Sequence, residues 1–158
     1  MVINDNPNIG KYILVSEMGL GQVVQTVEMG GRGKFYRVEF EESKSSNYFS
    51  IDNPTGYRFV DTKEKLEAAI AIFKQKRTSP MFKSNREKIE FYKKALKTND
   101  IVELAKHMAV LNSEEEIHPS LTKVFDSAVK TLVLELEFVY ECRNIEAWRM
   151  LGLTKNNK

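Results

Sequence analysis

The stretch NREKIEFYKKALKTNDIVELAKHMAVL, residues 85–111, predicts a hairpin of two helices. Each half repeats apolar residues at the spacing of one helix face. These residues are Ile89, Tyr92 and Leu96 in the first half, and Ile101, Leu104, Ala105, Met108 and Leu111 in the second. The polar segment Thr98-Asn99-Asp100 joins the halves and can cap the second helix. The hairpin is rich in lysine but has one histidine and no cysteine, so its use must be inferred from the rest of the chain.

A helix and a domain boundary are predicted upstream of the hairpin. Asp61 or Thr62 can cap a helix that buries one apolar face. That face consists of Leu66, Ala69, Ile70 and Phe73. Residues 76–84 contain a proline and three hydroxyl side chains, so we predict one domain of residues 1–75 and a helical domain of residues 76–158.

Downstream of the hairpin, the acidic segment NSEEEIHPS predicts a loop. A long helix is predicted to begin near Pro119. It either continues or breaks near Arg143 before a short helix around Trp148. The final residues, LTKNNK, predict a frayed tail.

The first sixty residues predict short strands with turns between them. In KFYRVEFEE, one face would carry Phe35, Arg37 and Glu39 and the other Tyr36, Val38 and Phe40, which indicates a strand with at least one buried face. The segment GGRG at residues 30–33 predicts a tight turn before it. Strands at this spacing are typical of a small antiparallel barrel or a strongly bent sheet. We therefore predict an α+β protein, with a small β domain followed by an all-α domain.

Charge is distributed unevenly along the chain. Residues 1–60 carry six Lys/Arg and seven Asp/Glu, residues 61–110 carry twelve and seven, and residues 111–158 carry six and eight. Between residues 74 and 97 there are nine basic residues, opposed only by Glu87 and Glu90. Such a local excess on a nearly neutral protein indicates either a docking site for a polyanion or a solvated lysine-rich surface.

The apolar runs, the N-terminal segment and the cysteine count predict the cellular compartment. The chain has no long apolar run, and MVINDNPNIG lacks the basic-then-apolar layout of a signal peptide. The single cysteine, Cys142, cannot form an internal disulfide. These features predict a cytoplasmic protein without a membrane span.

The residues that could carry chemistry do not form a recognisable arrangement. His107 and His118 lie apart, one on a predicted helix and one in a predicted loop, with no metal-ligand spacing around them. GLG at residues 19–21 and GGRG are not followed by a helix, so neither predicts a phosphate-binding loop. The sequence predicts neither an enzyme nor a cofactor or metal site.

Three segments resemble the bacterial CarD family of RNA polymerase-binding transcription regulators. They are GLGQVVQTVE, the strand end FSIDN, and KKALKTNDIVELAKHMAVL, with AVKTLVLELEF resembling the last helix of the family. The resemblance covers residues 10–140. The N-terminal part is also similar to the polymerase-interacting domain of transcription-repair coupling factors.

The resemblance implies a Tudor-like N-terminal domain that docks on the β subunit of RNA polymerase through an exposed sheet edge. It places the contact on the second and fourth predicted strands, at Val27, Glu28, Tyr48 and Phe49. Alternation along the fourth strand predicts that either Tyr48 or Phe49 faces the core.

The resemblance also implies contact between the helical domain and promoter DNA at the upstream fork. The tryptophan with which the family wedges against the melted DNA aligns with Asn85, so Met81 or Phe82 is the expected replacement, unless Phe82 packs against the helices. At about 100° per residue, one face of the first hairpin helix gathers basic side chains, provided that the helix includes Lys83. These are Lys83, Arg86, Lys93, Lys94 and Lys97.

The expected function is therefore a monomeric transcription regulator that binds RNA polymerase and promoter DNA and modulates the stability of the open complex. The alternative is an adaptor of the same fold that binds polymerase or another protein and has lost DNA binding.

Overall fold

The structure, a computed structural model, describes residues 2–3, 6–16 and 18–153. The chain forms two compact units, Met1–Val60 and Asp61–Lys158. The first contains an antiparallel sheet and the second contains helices, which confirms the α+β class. The predicted tail after Leu153 lies outside the described residues.

The sheet unit is built from antiparallel neighbours in the order β5-β4-β3-β2-β6, and β1 pairs with the far end of β3. The strands are β1 (Val2–Ile3), β2 (Tyr12–Val15), β3 (Gly19–Glu28), β4 (Lys34–Phe40), β5 (Ser45–Ser50) and β6 (Arg58–Phe59). The register between β3 and β4 shifts between Val23 and Gln25, which indicates a bulge that increases the local twist. The two-residue β1 was not predicted, because so short a segment has no measurable period.

The core of the sheet unit lies on one face of β4. Tyr36, Val38 and Phe40 are buried, which confirms that at least one face of this strand is buried. Tyr57 and Phe59 pack their rings edge to face against Tyr36, with centroids 6.3 and 5.8 Å away. This aromatic cluster closes the core beside β6.

Two glycines at the start of β3 have different physical roles. Gly19 adopts φ 88°, a conformation that side chains with a Cβ rarely accept. Gly21 lies so close to the core that an added Cβ would stand 2.6 Å from Cγ1 of Val38 and 2.7 Å from Cε1 of Phe40. The close approach of β3 to these buried side chains therefore depends on Gly21.

Gly21→Ala is expected to lower the free energy of unfolding of the sheet unit by about 1–3 kcal/mol, because the added methyl group overpacks a filled core. Hydrogen exchange of the β4 amides measures this change. Gly31→Ala is the matched control, since an added Cβ there meets nothing within 4 Å. Equal protection in the two variants would contradict the packing argument.

The helices of the second unit follow the predicted order. They are α1 (Lys63–Phe73), α2 (Asn85–Ala95), α3 (Ile101–Asn112), α4 (Pro119–Tyr140) and α5 (Asn144–Met150). The side chains of Thr62, Ser84 and Asp100 accept hydrogen bonds from backbone N–H groups in the first turns of α1, α2 and α3. The helix α4 ends where Glu141 takes a left-handed conformation, so the predicted break before α5 is the alternative that occurs.

The predicted boundary after residue 75 is wrong, because α1 belongs to the helical unit. Leu66 and Phe73 of α1 are buried in the same core as Leu104 and Met108 of α3. The segment between α1 and α2 is fastened to this unit as well, since the backbone N–H of Arg77 donates to Oγ of Ser113 over 2.9 Å. The division lies instead between Val60 and Asp61.

A buried carboxylate holds the start of the helical unit. Glu135, in the middle of α4, is fully buried, and its Oε2 accepts a 2.8 Å hydrogen bond from the N–H of Asp61. The chain therefore enters the unit at a fixed point on α4. Within the described part of the chain, no helix is both long enough and apolar enough to cross a membrane.

Candidate docking edge and basic surface

The strand β5 forms one edge of the sheet, since it pairs with β4 on one side only. Ile51, just after β5, donates its N–H to the carbonyl of Lys34 over 2.9 Å, which makes these two residues a hydrogen-bonded pair. Hydrogen-bonded and non-hydrogen-bonded pairs alternate along an antiparallel ladder. The main-chain groups of Ser46, Tyr48 and Ser50 therefore point away from β4, toward the open edge.

Two side chains already cover part of this edge. Oδ1 of Asn47 accepts a 2.8 Å hydrogen bond from the N–H of Tyr48. The hydroxyl of Tyr57 donates to the carbonyl of Ser50 over 2.7 Å. These bonds satisfy outward-pointing groups within the chain itself, so a partner strand would have to displace Asn47 in order to pair with the N–H of Tyr48.

Tyr48 and Phe49 lie on opposite faces of β5, as the alternation predicted. Phe49 turns toward the core, where its ring packs against Phe40 and Tyr57, whereas Tyr48 remains 45% exposed. The strand, SSNYFS, carries no charged side chain and no proline. Charge and proline are common devices that protect edge strands from pairing with other chains, and β5 uses neither.

The predicted contribution of Val27 to an open edge is wrong. Val27 pairs with Val2 of β1 on one side and with Phe35 of β4 on the other, so its main-chain groups lie inside the sheet. Glu28, the last residue of β3, is exposed and pairs with Lys34. Val27 and Glu28 can offer side chains to a partner, whereas β5 is an edge strand of the sheet, beyond β4.

Alkaline pH is expected to destabilise the sheet unit through Tyr57. Burial, followed by the charge of Tyr36, raises the pKa of Tyr57 to about 12. A phenol in an unfolded chain titrates near pH ~10, so this contribution to stability is complete below about pH 10 and is lost as the pH rises through about 12.

Tyr57→Phe tests this dependence, because phenylalanine keeps the ring and has no proton to lose. Between about pH 9 and about pH 11.5, wild type should lose about 2 kcal/mol more free energy of unfolding than the variant, as measured by urea denaturation. Parallel losses in the two proteins would show that the alkaline transition has another origin.

The basic surface lies on and around α2. Arg86, Lys93 and Lys94 are exposed on the helix. The condition for including Lys83 in the basic face is not met, because Ser84 caps the helix and the chain is non-helical at residue 83. Lys97 lies just beyond the C-terminal end and is exposed, so the helical part of the basic face is shorter than the sequence predicted.

Two ion pairs modify this surface. Nε of Arg86 lies 3.4 Å from Oε1 of Glu90, one turn along the helix, so a phosphate at Arg86 competes with a carboxylate. Lys88 forms a short, half-buried ion pair with Glu114 in the loop before α4. This second pair fastens α2 to that loop and removes Lys88 from the set available to DNA. No pattern in the sequence indicates this pair, because Lys88 and Glu114 are far apart in the chain.

Phe82 is not placed to replace the wedge tryptophan of the family. Its ring packs 5.4 Å from that of Phe91 and 6.0 Å from that of the buried Tyr92, so Phe82 has the packing role that was the alternative. Met81, the residue before it, is fully exposed. Phe91 was missed, although its position off the apolar stripe of α2 marks it as an aromatic residue that the core does not require.

The residues that could carry other chemistry are dispersed. Over the described residues, no group of three or more His, Cys, Asp or Glu side chains could hold a metal ion. Nδ1 of His118 accepts a hydrogen bond from the N–H of Ser120 and so caps α4. Burial, followed by the charges of Glu146 and Glu137, raises the pKa of the Cys142 thiol, which disfavours the nucleophilic thiolate.

No protein-family model matches the chain, and no curated protein matches it. The resemblance to the CarD family therefore rests on the quoted residues, and membership of the family stays a prediction.

Proposed function

We propose that this protein is a bacterial transcription regulator. Its Tudor-like sheet unit docks on the β subunit of RNA polymerase through the edge of β5, and its helical unit contacts the backbone of promoter DNA. It acts in the cytoplasm as a monomer, without a cofactor and through binding rather than catalysis. The observation that carries the proposal is the open, uncharged edge of β5.

Docking by strand addition uses the main-chain groups of the edge for affinity and neighbouring side chains for specificity. On β5, Ser46 and Tyr48 direct main-chain groups outward, and the exposed ring of Tyr48 lies beside them. Phe49 supports the strand from the core side. Glu28 is an exposed charge on the same unit that can select among partners.

Contact with DNA uses Arg86, Lys93, Lys94 and Lys97, with Lys83 before the helix. Lysine and arginine contacts to phosphates position a protein without reading base sequence, so this surface should bind DNA weakly unless polymerase holds the protein at the promoter. The pairing of Arg86 with Glu90 lowers the number of phosphates that the surface can neutralise.

The adaptor function is the second candidate, and a specific observation favours it. Asn85 stands where the family carries its tryptophan, and Phe82 packs into an aromatic cluster. A chain without a wedge can still dock on polymerase and recruit or block another protein.

Two binding measurements with purified components test the proposal. The immobilised chain should capture RNA polymerase and its isolated β subunit, and it should lengthen or shorten the lifetime of open promoter complexes. Capture of polymerase with no change in lifetime and no DNA binding would favour the adaptor. Failure to capture either polymerase or the β subunit would contradict the regulator and would leave only an adaptor for another protein.

A further inference from the structure

An aromatic patch lies beside the basic surface, on a different side of α2. Its members are the rings of Phe82, Phe91, Tyr92 and His107, and Met81 precedes Phe82 in the chain. The ring of Phe91 is 42% exposed and Met81 is fully exposed, although the patch adjoins the core through the buried Tyr92. The neighbouring rings of Phe82 and Phe91 are both partly exposed, and a contiguous exposed apolar surface of this kind can mark a binding site.

Neighbouring rings hold Phe91 in place. Its ring centroid lies 5.0 Å from that of Tyr92, 5.4 Å from that of Phe82 and 5.5 Å from that of His107. A ring supported in this way loses little conformational freedom when a flat ligand stacks on it. The arrangement is therefore suited to binding a planar partner.

The charges around Phe91 favour an anionic partner. Residues three apart on a helix are surface neighbours, so Lys94 lies beside Phe91 on one side. Lys88, at the same spacing on the other side, is engaged by Glu114, and Glu87 is an exposed carboxylate one turn before Phe91. Lys83 adds a cation next to Phe82. The excess of basic residues between residues 74 and 97 makes this neighbourhood positive overall.

We infer that the aromatic patch binds single-stranded nucleic acid, with an unpaired base stacked on Phe91 and the adjoining phosphate held by Lys94. Base stacking on aromatic side chains beside a cationic surface is a general way of holding single strands, because every base has a π face. A base within a duplex is stacked on its neighbours and does not offer that face. The inference rests on the proposed contact between α2 and DNA, and it adds a preference for unpaired strands.

The test measures binding of the full chain to a labelled oligothymidylate and to a duplex, by fluorescence anisotropy. Phe91→Leu keeps an apolar side chain for the packing against Phe82 and Tyr92 but removes the ring. We expect it to weaken oligothymidylate binding by at least about 5-fold, the smallest effect typical of losing one base–aromatic stack. Duplex binding should be unchanged, because the substitution leaves every phosphate-contacting lysine and arginine in place and the paired bases of a duplex offer no free face to Phe91.

Two further variants make the result specific. Phe138→Leu makes the same substitution at a phenylalanine of α4 that is 39% exposed, and it should bind both probes as wild type does. Phe91→Trp offers a larger stacking surface and should bind the oligothymidylate at least as tightly as wild type. The fold of each variant is checked by its thermal transition in circular dichroism.

The outcomes separate this inference from the proposed function. Wild-type binding of Phe91→Leu to the oligothymidylate, or equal losses in Phe91→Leu and Phe138→Leu, would overturn the stacking inference and leave contact with duplex DNA standing. A wild-type chain that binds neither probe even at low salt, where phosphate contacts are strongest, would overturn both the inference and the proposed contact with DNA.

Discussion

Replacing Ser46 by proline is expected to reduce the affinity for the RNA polymerase β subunit by on the order of 100-fold, which would abolish capture in a pull-down. Proline removes the outward N–H of residue 46 and places its ring where a partner strand must lie. A partner carbonyl would then be buried without a donor. The reduction follows directly from docking by strand addition at β5.

The fold should survive this substitution. Ser46 lies opposite Glu39 in a non-hydrogen-bonded pair, so its N–H does not contribute to the ladder with β4. Proline is tolerated on edge strands when its nitrogen faces outward. Thermal unfolding of Ser46→Pro should therefore resemble that of wild type.

Two further substitutions on β5 make the result specific. Ser46→Ala keeps the N–H and should bind the β subunit normally. Asn47→Ala should bind more tightly than wild type, because it frees the N–H of Tyr48 from the side chain that covers it. If Ser46→Pro captures polymerase as wild type does, β5 is not the docking edge.

Replacing Arg86 and Lys93 together by alanine is expected to flatten the salt dependence of DNA binding by about one to two units of slope. Each neutralised phosphate adds about 0.9 to the slope, so two to four contacts predict a wild-type slope of roughly −2 to −4. Both side chains are exposed and lie off the buried stripe of α2, so the fold should be unaffected. The measurement is the DNA affinity at several salt concentrations.

Breaking the Arg86–Glu90 ion pair on α2 should have the opposite effect on the salt dependence of DNA binding. Glu90→Gln removes the carboxylate that competes with phosphate at Arg86, so it should tighten binding and steepen the slope. Lys88→Ala should instead lower stability, because it breaks the half-buried pair with Glu114. Unchanged affinity and slope in the Arg86/Lys93 variant would assign this face to solvent and favour the adaptor.

Much of the fold was predictable because the patterns are local. The two-residue period of β4 and the helical period of α3 each depend on residues a few positions apart. The caps Thr62, Ser84 and Asp100 act on the next turn of their own helices. Such features are determined by the sequence, since the interacting groups are always neighbours.

The candidate sites were predicted less well, because their environment comes from distant residues. The exposure of Lys93 and Lys94 followed from helix geometry, but the role of Phe82 depended on whether Phe91 and Tyr92 would meet its ring. Whether Val27 lies at an open edge of the sheet depended on β1, which lies more than twenty residues earlier in the chain.

The sequence by itself therefore determined the order of the strands after β1 and of the helices, the caps of α1 and α3, the buried faces of the helices and the position of the basic residues. Only the tertiary structure decided that α1 joins the helical unit, that β5 is the open edge, that Tyr57 covers the carbonyl of Ser50 and that Lys88 is occupied by Glu114. The physical reason is that periodicity and capping act within a few residues. Edges, ion pairs and ring contacts depend instead on which distant segments are brought together when apolar surfaces are buried.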